Sequence, residues 1–293
     1  MRTGTSAIRE AAIFLLLTLT LSFLVFWGPL ALLKVPTISF VDKTTGPPWA
    51  IALYIIGGFV PSLVAIGLTW RQEGREGLRR LGRRVVQFRI GWRWYLVIAG
   101  IVALGTAAQL ALIHVLGGTF DLSLFLAQLP SAIPLIILGP LSEELGWRGY
   151  AQDRLQTRWN GLVSGLIVGV VWALWHLPLF FMVGTSQSVL GIPFLGFACG
   201  VTATSVIYAW LHNNTSGSVW TAVFFHWMYT YSMQVVATGV VRSGLYNWLE
   251  YLPYILIAAV VAAVWRPWGT RDATLDEAAP AVGRPADSAM RGR

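Results

Sequence analysis

Long apolar runs alternate with short polar connectors along the chain. A helix needs about 20 apolar residues to cross the hydrocarbon of a bilayer. Eight runs approach that length: 11–33, 49–70, 94–117, 124–141, 161–183, 190–211, 217–238 and 249–266. The fourth is short and holds Pro130 and Pro134, which membrane helices tolerate when neighbours satisfy the freed backbone groups. The pattern predicts an all-α fold, a polytopic transmembrane helix bundle of about eight spans around an intramembrane polar cavity. The first run follows Arg2 and Arg9, exceeds a signal-peptide core in length and has no small-x-small cleavage site after it. It therefore reads as a retained membrane helix. Gly161, Gly165 and Gly169 stand four apart in one run, and Gly196 and Gly200 in the next. Small residues at this spacing let helix backbones approach closely, and a tight bundle can shield a polar cavity from lipid.

Four regions follow from this pattern. Residues 1–123 form N-terminal membrane helices with a basic connector, and 124–240 form a core that carries the unusual polar residues. Residues 241–269 hold a final membrane helix. Residues 270–293 lose hydrophobicity, become rich in Ala, Pro, Asp and Arg, and read as a disordered tail.

The connectors set the expected orientation. Segment 71–93 carries Arg71, Arg75, Arg79, Arg80, Arg83, Arg84, Arg89 and Arg93. Short loops rich in Arg and Lys stay in the cytoplasm. Eight alternating spans then place both termini there, in agreement with Arg2, Arg9, Arg266 and Arg271, and the connector 142–160 with Arg148, Arg154 and Arg158 falls on the same side. Arg75, Arg79 and Arg83 recur every four residues, as do Arg80 and Arg84. This spacing predicts a surface helix against anionic lipid headgroups.

Composition supports lipid as the main solvent. Only 12% of residues are charged, against about 25% in a soluble domain, and the mean hydropathy is +0.63. The formal net charge of +8 would ordinarily suggest nucleic acid. Here the basic residues sit in connectors between apolar runs, which fits membrane topology and excludes nucleic acid as the expected partner. The expected location is integral to a bacterial plasma membrane. The single cysteine, Cys199, lies in an apolar run and reads as a small buried hydrophobe. It excludes an intrachain disulfide and a Cys-rich metal site.

Against this background a few ionisable residues stand out, because each costs about 2.5–3.5 kcal/mol at mid-membrane on insertion scales. The stretch Pro140-Leu141-Ser142-Glu143-Glu144-Leu145-Gly146-Trp147-Arg148 is the first such place. Ser142 resembles a helix N-cap, and Glu144 and Arg148, four apart, can pair on one helix face. Glu143 points about a quarter-turn away. His176 lies late in the fifth run, one turn after Trp172, and His226 lies midway along the seventh, one turn before Thr230. His114 and His212 fall near span ends, and Asp121 and Glu250 read as connector or boundary residues. Taken singly, each site residue has a structural explanation as a cap, a salt bridge or a packing histidine. Together, two acids and two histidines from three runs match an arrangement that activates water. Glu143, His176 and His226 also supply enough ligands for a catalytic Zn2+ with an open fourth position.

The order Glu143-Glu144-x-x-x-Arg148, then Trp172-x-x-x-His176, then His226 resembles the CPBP family, the CAAX-protease and bacteriocin-processing membrane endopeptidases also called the Abi family. The stretch from Asn214 to Ala222 leading to His226 resembles the family as well, and the resemblance covers roughly 130–240. It implies an intramembrane endopeptidase acting on a membrane-tethered protein or peptide. By residue, it implies that Glu143 activates water with Glu144 and Arg148 in support. His176 and His226 would position water, bind a metal or stabilise the oxyanion, and both a zinc-dependent and a metal-free glutamate mechanism remain open. The family's last motif commonly carries Asn one turn after the His, and Thr230 stands there in this chain. A hydroxyl reaches less far than an amide, and Gln234 is another candidate donor. Two other functions compete: a catalytically silent membrane scaffold or immunity-type protein of the same fold, and a proton-coupled transporter built on buried Glu and His.

Overall fold

A computed structural model describes residues 4–39, 45–128, 137–239 and 244–264. Among them all regular elements are helical. Five helices are long and apolar enough to cross a membrane. They are α1 (Thr5–Leu32), α2 (Pro48–Val85), α3 (Trp92–Val115), α7 (Phe194–Asn214) and α9 (Gly244–Val264). Between α3 and α7 come several short helices, among them α4 (Leu122–Gln128) and α5 (Ser142–Gly146), and the 15-residue α6 (Gly161–Trp175). The helix α8 (Val219–Gly239) equals α7 in length at 21 residues, but Thr221, His226, Thr230, Ser232 and Gln234 dilute its hydropathy.

The all-α membrane bundle is thus borne out, while the expected count of eight spans is not reproduced. Residues 129–136 of the expected fourth span, with Pro130 and Pro134, lie outside the described residues, as does the 270–293 tail. The expected fifth span stops early. Its helix ends at Trp175 and gives way to a 3₁₀ turn over Leu177–Phe180. Pro178 supplies the reason, since it lacks an N–H and disfavours helical geometry in the residue before it. At about 1.5 Å per residue, α6 is roughly 22 Å long, short of a hydrocarbon layer of about 30 Å.

Large aromatic side chains fill much of the interior, and many aliphatic ones face outward. Phe14, Trp147, Tyr150, Trp175, Tyr208, Phe225 and Tyr254 are buried, while Leu16, Leu24, Leu96, Leu104, Leu195, Leu256 and Val260 face outward. In lipid this outer face costs nothing, so burial inside the bundle follows shape and polarity. Cys199 lies on that exposed surface and is not the buried hydrophobe expected from its apolar run. Hydropathy cannot separate the two faces of a helix whose outer solvent is itself apolar.

Glycine sets the closest packing. A Cβ on Gly169 would stand 2.7 Å from Thr202 Cα and 2.8 Å from Ser205 Cβ, and one on Gly165 2.9 Å from Ala209 Cβ. A Cβ on Gly200 would overlap the Tyr251 ring of α9. The expected small-residue interface is therefore the α6–α7 seam, continued by α7 against α9.

Helix α2 bends at Gly74, whose φ of 61° leaves helical space. Beyond the bend, residues 75–85 run on as the basic segment expected from the arginine spacing. Arg71, Arg75, Arg79, Arg83, Arg89 and Arg93 are exposed. Arg80 is half-buried against Glu73 at 2.6 Å, and Arg84 turns inward. It bonds to Asp153 at 2.7 Å and donates to the carbonyls of Gly217 (2.8 Å) and Gly149 (3.1 Å). This arginine staples α2 to the segment behind α5.

Candidate active site

The site begins with one continuous helical run whose pitch changes twice. A π-helical turn over Ile137–Leu141 leads into α5, and a second over Trp147–Gln152 follows it. Wide turns of this kind are frequent at functional sites because they re-aim side chains. Ser142 lies inside this run and is not an N-cap. Leu141 before it is already helical, and Ser142 Oγ donates back to the Gly139 carbonyl at 2.6 Å. Gly146 then lets α5 lie against α2, since a Cβ there would stand 2.6 Å from the Pro61 carbonyl oxygen. Ser62 Oγ donates to the Leu141 carbonyl across the same contact, at 3.1 Å.

From this platform the two glutamates diverge. Glu144 is fully buried and accepts from Arg148 Nη1 with both carboxylate oxygens, each at 3.1 Å. Arg148, also fully buried, donates through Nη2 to Ser205 Oγ at 3.0 Å and stacks 3.9 Å from the Tyr208 ring centroid. Both partners sit on α7, where the α6 glycines allow it to come close. Glu144 Oε1 also accepts from His226 Nδ1 at 2.8 Å. The Arg148–Glu144–His226 chain therefore fixes one imidazole of α8 to α5.

Glu143 turns the other way. Its Oε2 accepts the indole N–H of Trp172 at 2.6 Å, and its small remaining exposure is to a cavity. His176 caps the end of α6, and its Nδ1–H donates to the Trp172 carbonyl at 2.8 Å. Trp172 thus touches both residues, one through its side chain and the other through its backbone. The Trp172 ring also meets the His226 ring edge-on, with centroids 5.4 Å apart.

Glu143, His176 and His226 line one cavity of about 320 Å³ together with Trp172, Thr230 and Gln234. The walls are largely apolar and include the aromatic side chains Trp27, Tyr54, Trp175, Phe197, Tyr229 and Tyr251. Three helical elements separated in the chain therefore deliver their rare ionisable side chains to one shared space. Glu144 and Arg148 stand behind it.

Motif reasoning missed the contributions of α1, α2 and α9 to this wall. Trp27 and Tyr54 carry no signal that separates a cavity lining from ordinary apolar packing. His212 and Glu250 also differ from expectation, since both are buried. His212 bonds to Asp153 at 2.9 Å next to Arg84, so a neighbouring carboxylate, and not water at a span end, satisfies it.

The geometry tests the zinc expectation. Among the described residues, no three His, Cys, Asp or Glu side chains stand close enough together to hold one metal ion. Oε2 of Glu143 is engaged by Trp172, and the Nδ1 atoms of His176 and His226 by a carbonyl and a carboxylate. The donors Glu143, His176 and His226 share a cavity, and as they stand among the described residues they do not converge on one ligation point.

Comparison with known proteins bears on the same stretch of chain. Residues 125–232 match the family model of the type II CAAX prenyl endopeptidases, Rce1-like. The resemblance drawn from the motifs is borne out. The match takes in Glu143, Glu144, Arg148, Trp172, His176, His226 and Thr230. The CAAX prenyl protease 2 of Methanococcus maripaludis is 30% identical over 119 residues, which are 38% of this chain and 44% of that protein. The chain spans less than half the length of this curated relative.

Proposed function

We propose that this chain is an intramembrane endopeptidase that hydrolyses a peptide bond of a membrane-associated protein or peptide. The observation that carries the reading is the meeting of Glu143, His176 and His226 on one largely apolar cavity inside a membrane bundle.

The hydrogen bonds support a role for each group. His176 donates Nδ1–H to a backbone carbonyl, so its neutral ring offers Nε2 as an acceptor. Glu143 accepts from Trp172 through Oε2, and a carboxylate has lone pairs for a further donor. A water in the cavity can give one hydrogen to each and keep a lone pair for the scissile carbonyl carbon. As its oxygen attacks, Glu143 takes the proton, the C=O electrons move to the carbonyl oxygen, and a tetrahedral oxyanion forms. His226, held through Nδ1 by Glu144, can present a protonated Nε2 to that oxyanion while the carboxylate offsets its charge. Collapse of the intermediate breaks the C–N bond, and Glu143 returns its proton to the departing amine. Arg148, Ser205 and Tyr208 position Glu144. No step passes through a metal.

A catalytically silent scaffold is the competing reading, and the observation that favours it is the hydroxyl of Thr230 at the cavity position where the resembled family commonly carries Asn. The relative's name points to prenylated CAAX proteins as one class of substrate. The same reading keeps the basic segment and both termini on the cytoplasmic side of a bacterial plasma membrane. Purified protein in proteoliposomes is expected to cleave a membrane-tethered peptide, and Glu143→Ala to abolish cleavage while the protein stays folded. Equal cleavage by variant and parent removes the assignment. A cellular phenotype that survives Glu143→Ala and His226→Ala favours the scaffold.

A further inference from the structure

The mechanism above gives the oxyanion one donor, His226. The cavity wall holds a hydroxyl that no step has used. Tyr54 of α2 lines the same cavity as Glu143 and His226. Its hydroxyl lies close enough to Glu143 to feel the charge of that carboxylate. It makes no hydrogen bond to any described residue. A phenol donates one hydrogen bond and ordinarily finds a partner where water is scarce. A spare donor on the wall, beside the residue that activates water, suits a partner that arrives with the substrate.

The rest of Tyr54 is held firmly. Trp27 Nε1 donates to the Tyr54 carbonyl at 2.9 Å, and the two rings stack with centroids 6.3 Å apart. A Cβ on Gly57, nearly one turn further on, would overlap the Trp27 ring, so α2 presses directly on α1 there. Two turns beyond Tyr54, Ser62 Oγ ties α2 to the run that carries Glu143, through the Leu141 carbonyl at 3.1 Å. Helix α8 meets the same run through the bond of His226 to Glu144 at 2.8 Å. A carbonyl group attacked by water on Glu143 can therefore meet one donor from α8 and another from α2. Glu143 accepts from Trp172 and not from Tyr54, so the phenol does not weaken it as a base.

We propose that Tyr54 is a further catalytic residue, whose phenol O–H donates a hydrogen bond to the oxyanion as the second donor beside His226. The O–H bond stays intact, and no proton leaves Tyr54. Tyr side chains serve in oxyanion holes elsewhere, and loss of one such donor costs on the order of 10²–10³ in kcat. The proposal rests on the endopeptidase reading.

The experiment compares the full-length parent with Tyr54→Phe in proteoliposomes. This change removes one oxygen and keeps the ring on Trp27. The probes are a membrane-tethered peptide that the parent cleaves and its phosphinic isostere, with tetrahedral phosphorus in place of the scissile carbonyl carbon. Tyr54→Phe should lower kcat by about 10² or more and leave KM within about twofold, as expected when an interaction made only in the transition state is lost. Binding of the phosphinic peptide should weaken by a similar factor. The melting temperature should not fall, because the hydroxyl has no bond to a described residue to lose. An unchanged kcat, a rise in KM alone, or a loss of kcat with the phosphinic peptide bound as tightly as before overturns the role of Tyr54 and leaves the endopeptidase reading in place. Cleavage of no tethered peptide by the parent overturns that reading, and the role of Tyr54 falls with it.

Discussion

Glu143 and Glu144 are neighbours in sequence with opposite environments. Glu144 is locked between Arg148 and His226, whereas Glu143 keeps one oxygen toward the cavity. Substitution should separate them. Glu143→Gln preserves shape and should lower kcat by about 10³ or more with little change in thermal stability, because it removes the proton acceptor. Arg148→Ala leaves a buried carboxylate unpaired and should destabilise the protein by about 3–5 kcal/mol, read as a lower melting temperature. Thr230→Asn should raise kcat by about 10² if an amide adds a donor to the oxyanion. An unchanged rate would mean that Thr230 or Gln234 already supplies that contact. At this scale the motif pairs were legible because helical spacing alone brings Glu144 to Arg148 and Trp172 to His176. Glu250, His212 and Cys199 were not legible, since a position near the end of an apolar run does not tell which face of the helix the residue occupies.

The α6–α7 seam governs how the elements hold the site. Gly169 meets Thr202 and Ser205, and Ser205 holds Arg148. Gly169→Ala must push α7 backbone away and should cost about 1–3 kcal/mol. Activity should fall with stability, and melting curves with cleavage assays on the same preparation check this. The basic segment after Gly74 belongs to the same scale. Five exposed arginines, Arg75, Arg79, Arg83, Arg89 and Arg93, follow that bend, whereas Arg84 serves the protein interior. Replacing Arg75, Arg79 and Arg83 with Gln should weaken binding to vesicles of anionic lipid by about 1 kcal/mol per residue, with neutral vesicles unaffected. Arg84→Gln should instead lower stability. Hydropathy made the long spans legible. It overran at Trp175 because Leu177, Leu179, Phe180 and Phe181 continue the apolar run after Pro178 has ended the helix.

Across the whole molecule, the bundle brings distant segments around one apolar space. Residues of α1, α2, α6, α7, α8 and α9 all reach its wall. The fold class was legible because a chain with so little charge must satisfy its backbone internally as helices. The cavity's aromatic lining was not, because Trp and Tyr in apolar runs look alike whether they pack or line a space. The central claim is that this cavity hydrolyses a peptide bond with Glu143 as proton acceptor. Its most direct test is cleavage of a membrane-tethered peptide by reconstituted protein in ¹⁸O-labelled water, with the products weighed by mass spectrometry. The account predicts that the parent places one ¹⁸O in the new carboxylate and that Glu143→Gln yields no product above background. Equal labelled product from both proteins, or no cleavage of any tethered peptide by the parent, would contradict it.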